Sequence, residues 1–281
     1  MRPARYGAAV TSAEERPARL KVGVVGAGRV GAVLGAALQA AGHQVVAVSG
    51  VSDASRRRAA ELLPGIPVLP VEEVVARAEL LVLAVPDDAL ADLVAGLSAT
   101  RAWQAGQLVA HTSGRHGLAV FEPALPFHVL GLAIHPAMTF TGTAMDLTRL
   151  ADCCFGVTAP EPLRPVAEAL VLEIGGEPVW IEEQHRALYH AALAHGANHL
   201  VTLIAQSMEA LAAAGVPDPH RMLEPLVSAA LDNSLRAGDA ALTGPVARGP
   251  GGARRRAAGA HRLPRAGAPD DPRGRPGVVP R

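Results

Sequence analysis

The sequence predicts an α/β fold, a doubly wound parallel sheet followed by a smaller all-α domain. Three observations lead there. Short, nearly continuous apolar runs recur between Leu20 and Ile134, as strands buried on both faces require. Segments of helical length and patterning lie between them, so strand and helix alternate along the chain. From Glu182 that alternation stops, and two long helical stretches take over.

The elements follow in order. Leu20–Val25 is the first strand, and an Ala/Leu-rich helix from Val30 to Ala41 ends at Gly42, a residue suited to the position just past a helix. Gln44–Ser49 is the second strand and Ser55 to Leu63 a polar helix. Leu80–Val85 is the next strand, stopped by Pro86, after which Asp87 or Asp88 caps a helix through Leu97. Gln107–Ala110 and Val129–Ile134 are further strands, running into His111-Thr112-Ser113-Gly114 and His135-Pro136. Cys154–Thr158, a helix over Glu161–Ile174 and Pro178–Ile181 read as one more β-α-β unit that extends the sheet. A long helix from about Glu183 to Ala214 ends at Gly215-Val216-Pro217, and a second runs from about Pro219 to Arg236.

Composition narrows the function. Of the 281 residues, 49% are apolar but only 3% aromatic, so the core is one of Ala, Val and Leu. The formal net charge of zero gives no reason to expect a nucleic-acid partner, and no apolar run approaches membrane-spanning length. The only two cysteines, Cys153 and Cys154, are adjacent, which suits neither a disulfide framework nor a metal site, and no metal is expected. A reduced, cytoplasmic setting follows. Lys21 is the only lysine, at the start of the first strand. Arginine stays protonated, so a mechanism that needs a tunable lysine is excluded. The excess of Arg and Ala reads as the mark of a GC-rich, bacterial genome.

Gly26-Ala27-Gly28-Arg29-Val30-Gly31 carries the strongest chemical signal. The G-x-G-x-x-G spacing means most between a strand and a helix, where it lies here, and in that setting it is the dinucleotide-binding turn of a Rossmann fold. Gly26 permits the tight turn, Gly28 lets backbone approach a pyrophosphate, and Gly31 lets helix and strand pack closely. The N–H groups at the helix start, around Arg29 and Val30, meet the phosphates. Sites for NAD place an acidic residue about 20 positions further on, for the ribose 2′-hydroxyl. Ser49 occupies that place, with Arg56, Arg57 and Arg58 following, so NADP is preferred and NAD is the lesser expectation. Asp53 argues the other way, since a small shift of the strand end would make it a ribose ligand.

The strand ends of such a sheet form the ligand crevice. Val85 and Pro86 line the cofactor there, Ser113 reaches the nicotinamide or the substrate, and His135 is a candidate proton donor. His111 is either a proton relay or a structural histidine. On the long helix, Ala194, Ala197, Val201, Ile204, Ala205 and Met208 share one stripe, expected to be buried, with His190 at its head, Arg186 one turn earlier and Asn198 at its edge. A buried histidine and amide need partners, which either a substrate or the core supplies.

These residues together resemble a known family. The Gly26–Gly31 turn, Leu83-Ala84-Val85-Pro86-Asp87, His111-Thr112-Ser113-Gly114, His135-Pro136-Ala137-Met138-Thr139-Phe140 and Tyr189-His190-Ala191-Ala192 through Asn198 resemble bacterial proteins that join a Rossmann-like domain to a C-terminal helical domain of unknown function. Those are similar to deazaflavin-dependent NADP reductases and pyrroline-5-carboxylate reductases. The resemblance covers residues 20 to 248 and implies an NADP-type oxidoreductase with a dimerising helical domain. The Ser-Gly followed by His-Pro also looks like prephenate dehydrogenases, and the Ser-Gly loop with a helical Asn looks like β-hydroxyacid dehydrogenases and ketopantoate reductases. The last two use a lysine on that helix. This chain has none there, and Arg186 or His190 stands in its neighbourhood.

The expectation is an NADP(H)-dependent oxidoreductase acting on a small carbonyl, imine or hydroxy-acid substrate. Its domains are a disordered N-terminus over 1–18, a Rossmann NADP-binding domain over 19–136, and a sheet extension with a helical substrate and dimerisation domain over 137–248. The remaining 249–281 is rich in Gly, Pro and Arg and reads as a disordered or frameshifted tail. The catalytic candidates are His190, His135, Asn198 and Ser113. The cofactor candidates are Gly26, Gly28, Arg29, Val30, Gly31, Ser49, Arg56, Val85 and Pro86. The partners expected are a small molecule and a second copy of the chain. The alternatives are a non-catalytic dinucleotide-binding regulatory module and the product of a frameshifted gene.

Overall fold

The computed structural model describes residues 19–241. The readings made for 1–18 and 249–281 lie outside the described residues. The chain divides into two compact units, the first ending at Leu200 and the second beginning at Val201.

Seven strands form one sheet in the first unit: β1 (Lys21–Val25), β2 (Gln44–Ser49), β3 (Leu80–Leu83), β4 (Leu108–His111), β5 (Leu130–Pro136), β6 (Cys154–Thr158) and β7 (Glu177–Trp180). Their order is β2-β1-β3-β4-β5-β6-β7. The first five are mutually parallel. β6 turns antiparallel to β5, with His135 opposite Gly156, and β7 is parallel to β6. The sheet is therefore not parallel throughout, as the sequence pattern had suggested. The link from β5 to β6 holds only one six-residue helix, α5 (Met145–Leu150). β6 instead starts beside the end of β5 and runs back along it, with the Ala137 N–H donating to the Cys154 carbonyl at 2.9 Å.

Alternate strand residues feed two separate cores. Val22, Val24, Leu80, Val82, Ala110 and Leu132 pack on one face beneath α1 (Arg29–Ala40) and α6 (Arg164–Glu173). Val25, Leu81, Leu83 and Val109 pack on the other beneath α3 (Val71–Arg77) and α4 (Asp87–Ala99). A sheet buried on both faces explains why the strands read as unbroken apolar runs. The chain leaves β1 toward β2 and then returns to β3 on the other side, so the direction of winding reverses between β1 and β3. The crevice of a doubly wound sheet opens at that point.

The helix ends follow local chemistry. α1 closes on Gly42 at φ +100°, with the Gly42 and His43 N–H groups donating to the Gln39 and Leu38 carbonyls. α2 (Asp53–Leu62) is capped by Ser52, whose hydroxyl accepts from the Ser55 N–H. α4 departs from expectation, because Pro86 takes the cap position and Asp87 and Asp88 become the first helical residues. Their charges still favour the positive end of the helix.

α7 (Arg186–Ala213) runs from the first unit into the second, and Arg186 is its only buried residue. The stripe expected to be buried is only partly covered: Ala194, Ile204 and Met208 are half-buried, whereas Ala197, Ala205 and Val201 (67%) are exposed. In the second unit α7 turns at Gly215 (φ +83°) into α8 (Pro219–Ala237), capped by Asp218. Leu223 is the one buried hydrophobic side chain of this unit among the described residues.

Packing at the glycine turn is directly testable. A Cβ on Gly31 would run into the Gly26 carbonyl oxygen and come within 2.9 Å of Ala84 Cβ, whereas one on Gly28 would meet nothing within 4 Å. Gly31→Ala is expected to cost about 1–3 kcal/mol of stability in urea denaturation. Gly28→Ala should cost less than about 1 kcal/mol, and equal losses would contradict this account.

Candidate functional site

The turn after β1 is braced from β2. Gly26 N–H donates to Ser49 Oγ at 3.1 Å, and Ala27 N–H donates to the Ser49 carbonyl at 2.7 Å. Gly26 sits at φ +95°, and a Cβ there would come within 2.6 Å of the Ala84 carbonyl oxygen, so glycine is required by both conformation and contact. Gly28 caps α1 without a side chain, leaving the first N–H groups of the helix, at Arg29 and Val30, to an external acceptor. Nothing in the protein requires glycine at 28. The open space over it is the cradle that a phosphate-bearing cofactor would fill, so the turn fits a dinucleotide.

Beyond Ser49 the expected residues divide. The Ser49 hydroxyl is buried and turned inward to Gly26, retaining one hydrogen to donate. Arg56 is occupied: it donates to the Val51 carbonyl at 2.6 Å and pairs with Asp53. That pairing also engages Asp53.

The remaining candidates lie along the carboxyl ends of β3, β4 and β5. Val85 and Pro86 leave β3 beside the glycine turn, where Val85 Cγ1 lies near Gly26. At the end of β4, His111 is fully buried. Its Nδ1 accepts from the Ser113 N–H at 3.2 Å, so the proton is on Nε2, which donates to the Gly117 carbonyl at 2.9 Å. Burial lowers its pKa to about 4 against the opposing pull of that carbonyl. His111 thus shapes the Ser113–Gly117 loop and does not reach solvent. Ser113 is buried too, its hydroxyl accepting from the His116 N–H at 3.2 Å.

The start of α7 is fastened onto this loop. Arg186 donates to the carbonyls of Ser113 (2.6 Å), His116 (2.9 Å) and Gly156 (3.1 Å). Glu183, just before it, accepts from the Leu118 and Ala119 N–H groups at 2.7 and 3.0 Å. Tyr189 and His190 then lie over Gly156 and Gly114, against which their polar ring atoms press where any side chain would otherwise stand. His135 Nδ1 is hydrogen-bonded to the Tyr189 hydroxyl at 2.8 Å, and its ring meets that of His190 edge-on at 6.1 Å between centroids. His190 Nε2 faces Asp87 Oδ2 at 4.0 Å, while its buried Nδ1 has no hydrogen-bond partner.

A pocket of about 440 Å3 opens beside these rings, within the size range of small-molecule sites. Its polar lining is His135, Thr139, His190 and Asn198, and Met138, Leu193 and alanines supply the apolar wall. Three of the four catalytic candidates thus share one pocket, with Ser113 behind Gly114. Sequence reasoning missed Tyr189 and took Asp87 for a cap. The available signals were the Tyr-His pair at the head of α7 and an acid directly after a strand-ending proline. His195 and His199 stack at 4.3 Å on the exposed side of α7, and the described residues contain no group of three or more His, Cys, Asp or Glu side chains able to hold a metal. No helix among the described residues is long and apolar enough to cross a membrane.

Comparison with known proteins agrees with this construction. Residues 7–136 match the model of a Rossmann-like domain, and residues 153–256 match that of a domain of unknown function, DUF2520. No curated protein matches the sequence. Among solved structures, a protein from Bacteroides fragilis provisionally named an NADP oxidoreductase is similar at 22% identity and a TM-score of 0.69, over 86% of this chain and 90% of that one. A semialdehyde dehydrogenase NAD-binding protein from Cupriavidus necator, in complex with calcium and NAD, is similar at 18% identity and 0.61, over 88% and 93%. A 1-pyrroline-5-carboxylate reductase from Streptococcus pyogenes is similar at 16% and 0.60, over 85% and 90%. At these identities the likeness is one of fold.

The buried imidazoles make stability depend on acid. Burial lowers the pKa of His135 to about 4 as well, aided by the charge of Arg186 and by His190. An unfolded histidine protonates near 6.5. Between about pH 6.5 and 4 the unfolded chain therefore binds more protons, and stability falls as pH falls through that window. Each imidazole contributes up to roughly 3 kcal/mol to that loss. Urea titrations across the window should show it, with His135→Gln flattening the slope, and a pH-independent midpoint would refute it.

Proposed function

We propose that this chain, which joins a Rossmann-like domain to a DUF2520 domain, is an NADP(H)-dependent oxidoreductase acting on a small carbonyl, imine or hydroxy-acid compound. The observation that carries the reading is the meeting of His135, His190 and Asn198 in one pocket at the sheet edge that also bears the glycine turn. Three strand spacings separate β1 from β5, roughly 14 Å at about 4.8 Å each. A dinucleotide whose pyrophosphate rests on Gly26, Gly28 and Gly31 would extend along Val85 and Pro86 toward that pocket. A bound reduced nicotinamide supplies the hydride.

The protein's own groups do the rest. The N–H groups at Arg29 and Val30 meet the phosphates. Ser49 supports a 2′-phosphate by not repelling it, since no carboxylate stands at the end of β2. His190 moves the proton, donating it to the carbonyl oxygen or imine nitrogen as hydride reaches carbon, or accepting it from a hydroxyl in the reverse direction. Nε2 is the nitrogen assigned to this role, facing Asp87 at 4.0 Å, because Nδ1 is buried against Gly114. His135 stays neutral at pH 7 and links the pocket to the Tyr189 hydroxyl. The Asn198 amide orients the substrate, and the Ser113 loop sets the distance between cofactor and His190.

A second copy of the chain covers the helical unit in this proposal. Val201, Leu203, Leu226 and Leu235 are each at least 60% exposed, against one buried hydrophobic side chain in the described part of that unit. So small a core does not hold two helices by itself, and a second copy is the cover always present in equal amount. Analytical ultracentrifugation should find a dimer that Leu226→Arg converts to monomer. A wild-type monomer would remove this part of the proposal.

Fluorescence titration with NADPH and NADH tests the cofactor site. NADPH should bind and Gly28→Asp should abolish binding, whereas undiminished binding by the variant would refute the assigned cradle. Turnover on a panel of carbonyl and imine compounds tests the chemistry. His190→Gln should lower kcat by about 10²–10⁴ with cofactor affinity unchanged, and full activity would remove His190 from the mechanism.

A further inference from the structure

The groups first expected to recognise a 2′-phosphate are engaged elsewhere. The Ser49 hydroxyl supports Gly26, and Arg56 is held by Asp53 and the Val51 carbonyl. Two other cations are not. Arg29 opens α1 and Arg58 lies one turn beyond the start of α2, and neither forms an ion pair or a side-chain hydrogen bond among the described residues. Both converge on Gly142, where a Cβ would come within 2.7 Å of Arg58 Nε and 3.0 Å of Arg29 Cγ. Their side chains share one surface at Gly142, Arg58 by its Nε and Arg29 by its stem, and neither is paired with a carboxylate among the described residues, so an anion there would gain from both.

The third wall of this place is built with care. Gly142 lies in the loop after β5 at φ +80° and is itself buried. The fully buried carboxylate of Asp146 accepts from the N–H groups of Thr141 (2.8 Å) and Gly142 (2.7 Å) and from the Thr141 hydroxyl (3.0 Å). Burial alone would raise the pKa of that carboxyl, but these donors outweigh it and hold it below the usual range, so the clasp stays charged and closed at neutral pH. The same loop begins at Met138 and Thr139, which line the pocket. One segment thus touches the pocket at one end and the two unpaired arginines at the other.

We infer that Arg29 and Arg58, held against the Asp146-clasped loop at Gly142, form the phosphate site that distinguishes NADPH from NADH. The inference rests on the dinucleotide reading above and replaces Arg56 with Arg58 as the discriminating residue. Arg29 lies at the start of α1 and Arg58 on α2 directly beyond β2, the two elements that flank the adenosine end of a bound dinucleotide in this fold.

Dissociation constants of NADPH and NADH for the full-length chain and for the Arg58→Gln and Arg29→Gln variants test this, at low and raised salt. The wild type should prefer NADPH, and 2′,5′-ADP should compete where 5′-AMP does not. Each variant should weaken NADPH by about tenfold or more, with Arg58→Gln leaving NADH within about twofold and the wild-type preference shrinking as salt rises. An unchanged NADPH constant in Arg58→Gln, or equal losses for both dinucleotides, overturns the inference while leaving the dinucleotide site in place. A wild type that binds neither overturns the dinucleotide reading itself, and the phosphate site with it.

Discussion

Arg186 brings a charge into the interior with no carboxylate paired to it. The residue is about 1% exposed, and its guanidinium is met by backbone carbonyls from three places: the loop after β4, the same loop three residues on, and β6. Burial lowers its pKa, and a guanidinium stays protonated in proteins. Leaving such a charge without these acceptors would cost several kcal/mol, so the clasp closes completely or the region does not form. Everything at the pocket depends on this attachment. Tyr189 and His190 are the third and fourth residues after Arg186 on the same helix. The contact that holds Arg186 therefore also fixes where their rings arrive.

The receiving surface is made of absences. Gly114 and Gly156 are the places where strand-end backbone admits a helix closely enough for His190 and Tyr189 to press upon it. Gly117 does the same for the Glu183 carboxylate, which then binds two backbone N–H groups. Three glycines, one buried arginine and one carboxylate thus dock α7 onto the sheet edge. His111 supports the arrangement from beneath by holding the Ser113–Gly117 loop with both ring nitrogens. The lowered pKa of His135 follows from the same geometry, since docking Arg186 and His190 beside it adds positive charge to an already desolvated ring.

Much of the fold was legible in the sequence. Continuous apolar runs announced strands buried on both faces, and the two cores on either side of the sheet are the reason those runs are unbroken. The glycine turn was legible because its spacing between strand and helix has few other uses. Three features were not. The reversal of β6 depends on which end of β5 it pairs against, which composition does not express. Asp87 lost the cap position to Pro86, whose fixed φ suits the residue before a helix. The stripe on α7 was apolar enough to predict burial, yet half of it stays exposed because periodicity states which face is apolar and not what covers it.

The division between the two kinds of information is clearest at the site. The sequence by itself determined the β-α-β order, the glycine turn, the lack of an acid at the end of β2, and the placing of His135 at a strand end and of His190 and Asn198 on the long helix. These depend on local spacing and residue type, which a linear pattern records. Tertiary structure alone decided that His190 faces Asp87, that His135 answers Tyr189, that Ser49 turns inward and that Arg58 rather than Arg56 is left unpaired. Each of those outcomes is a competition among several polar groups for the same few partners. Distances between residues remote in sequence settle it, and those distances exist only once the chain has folded.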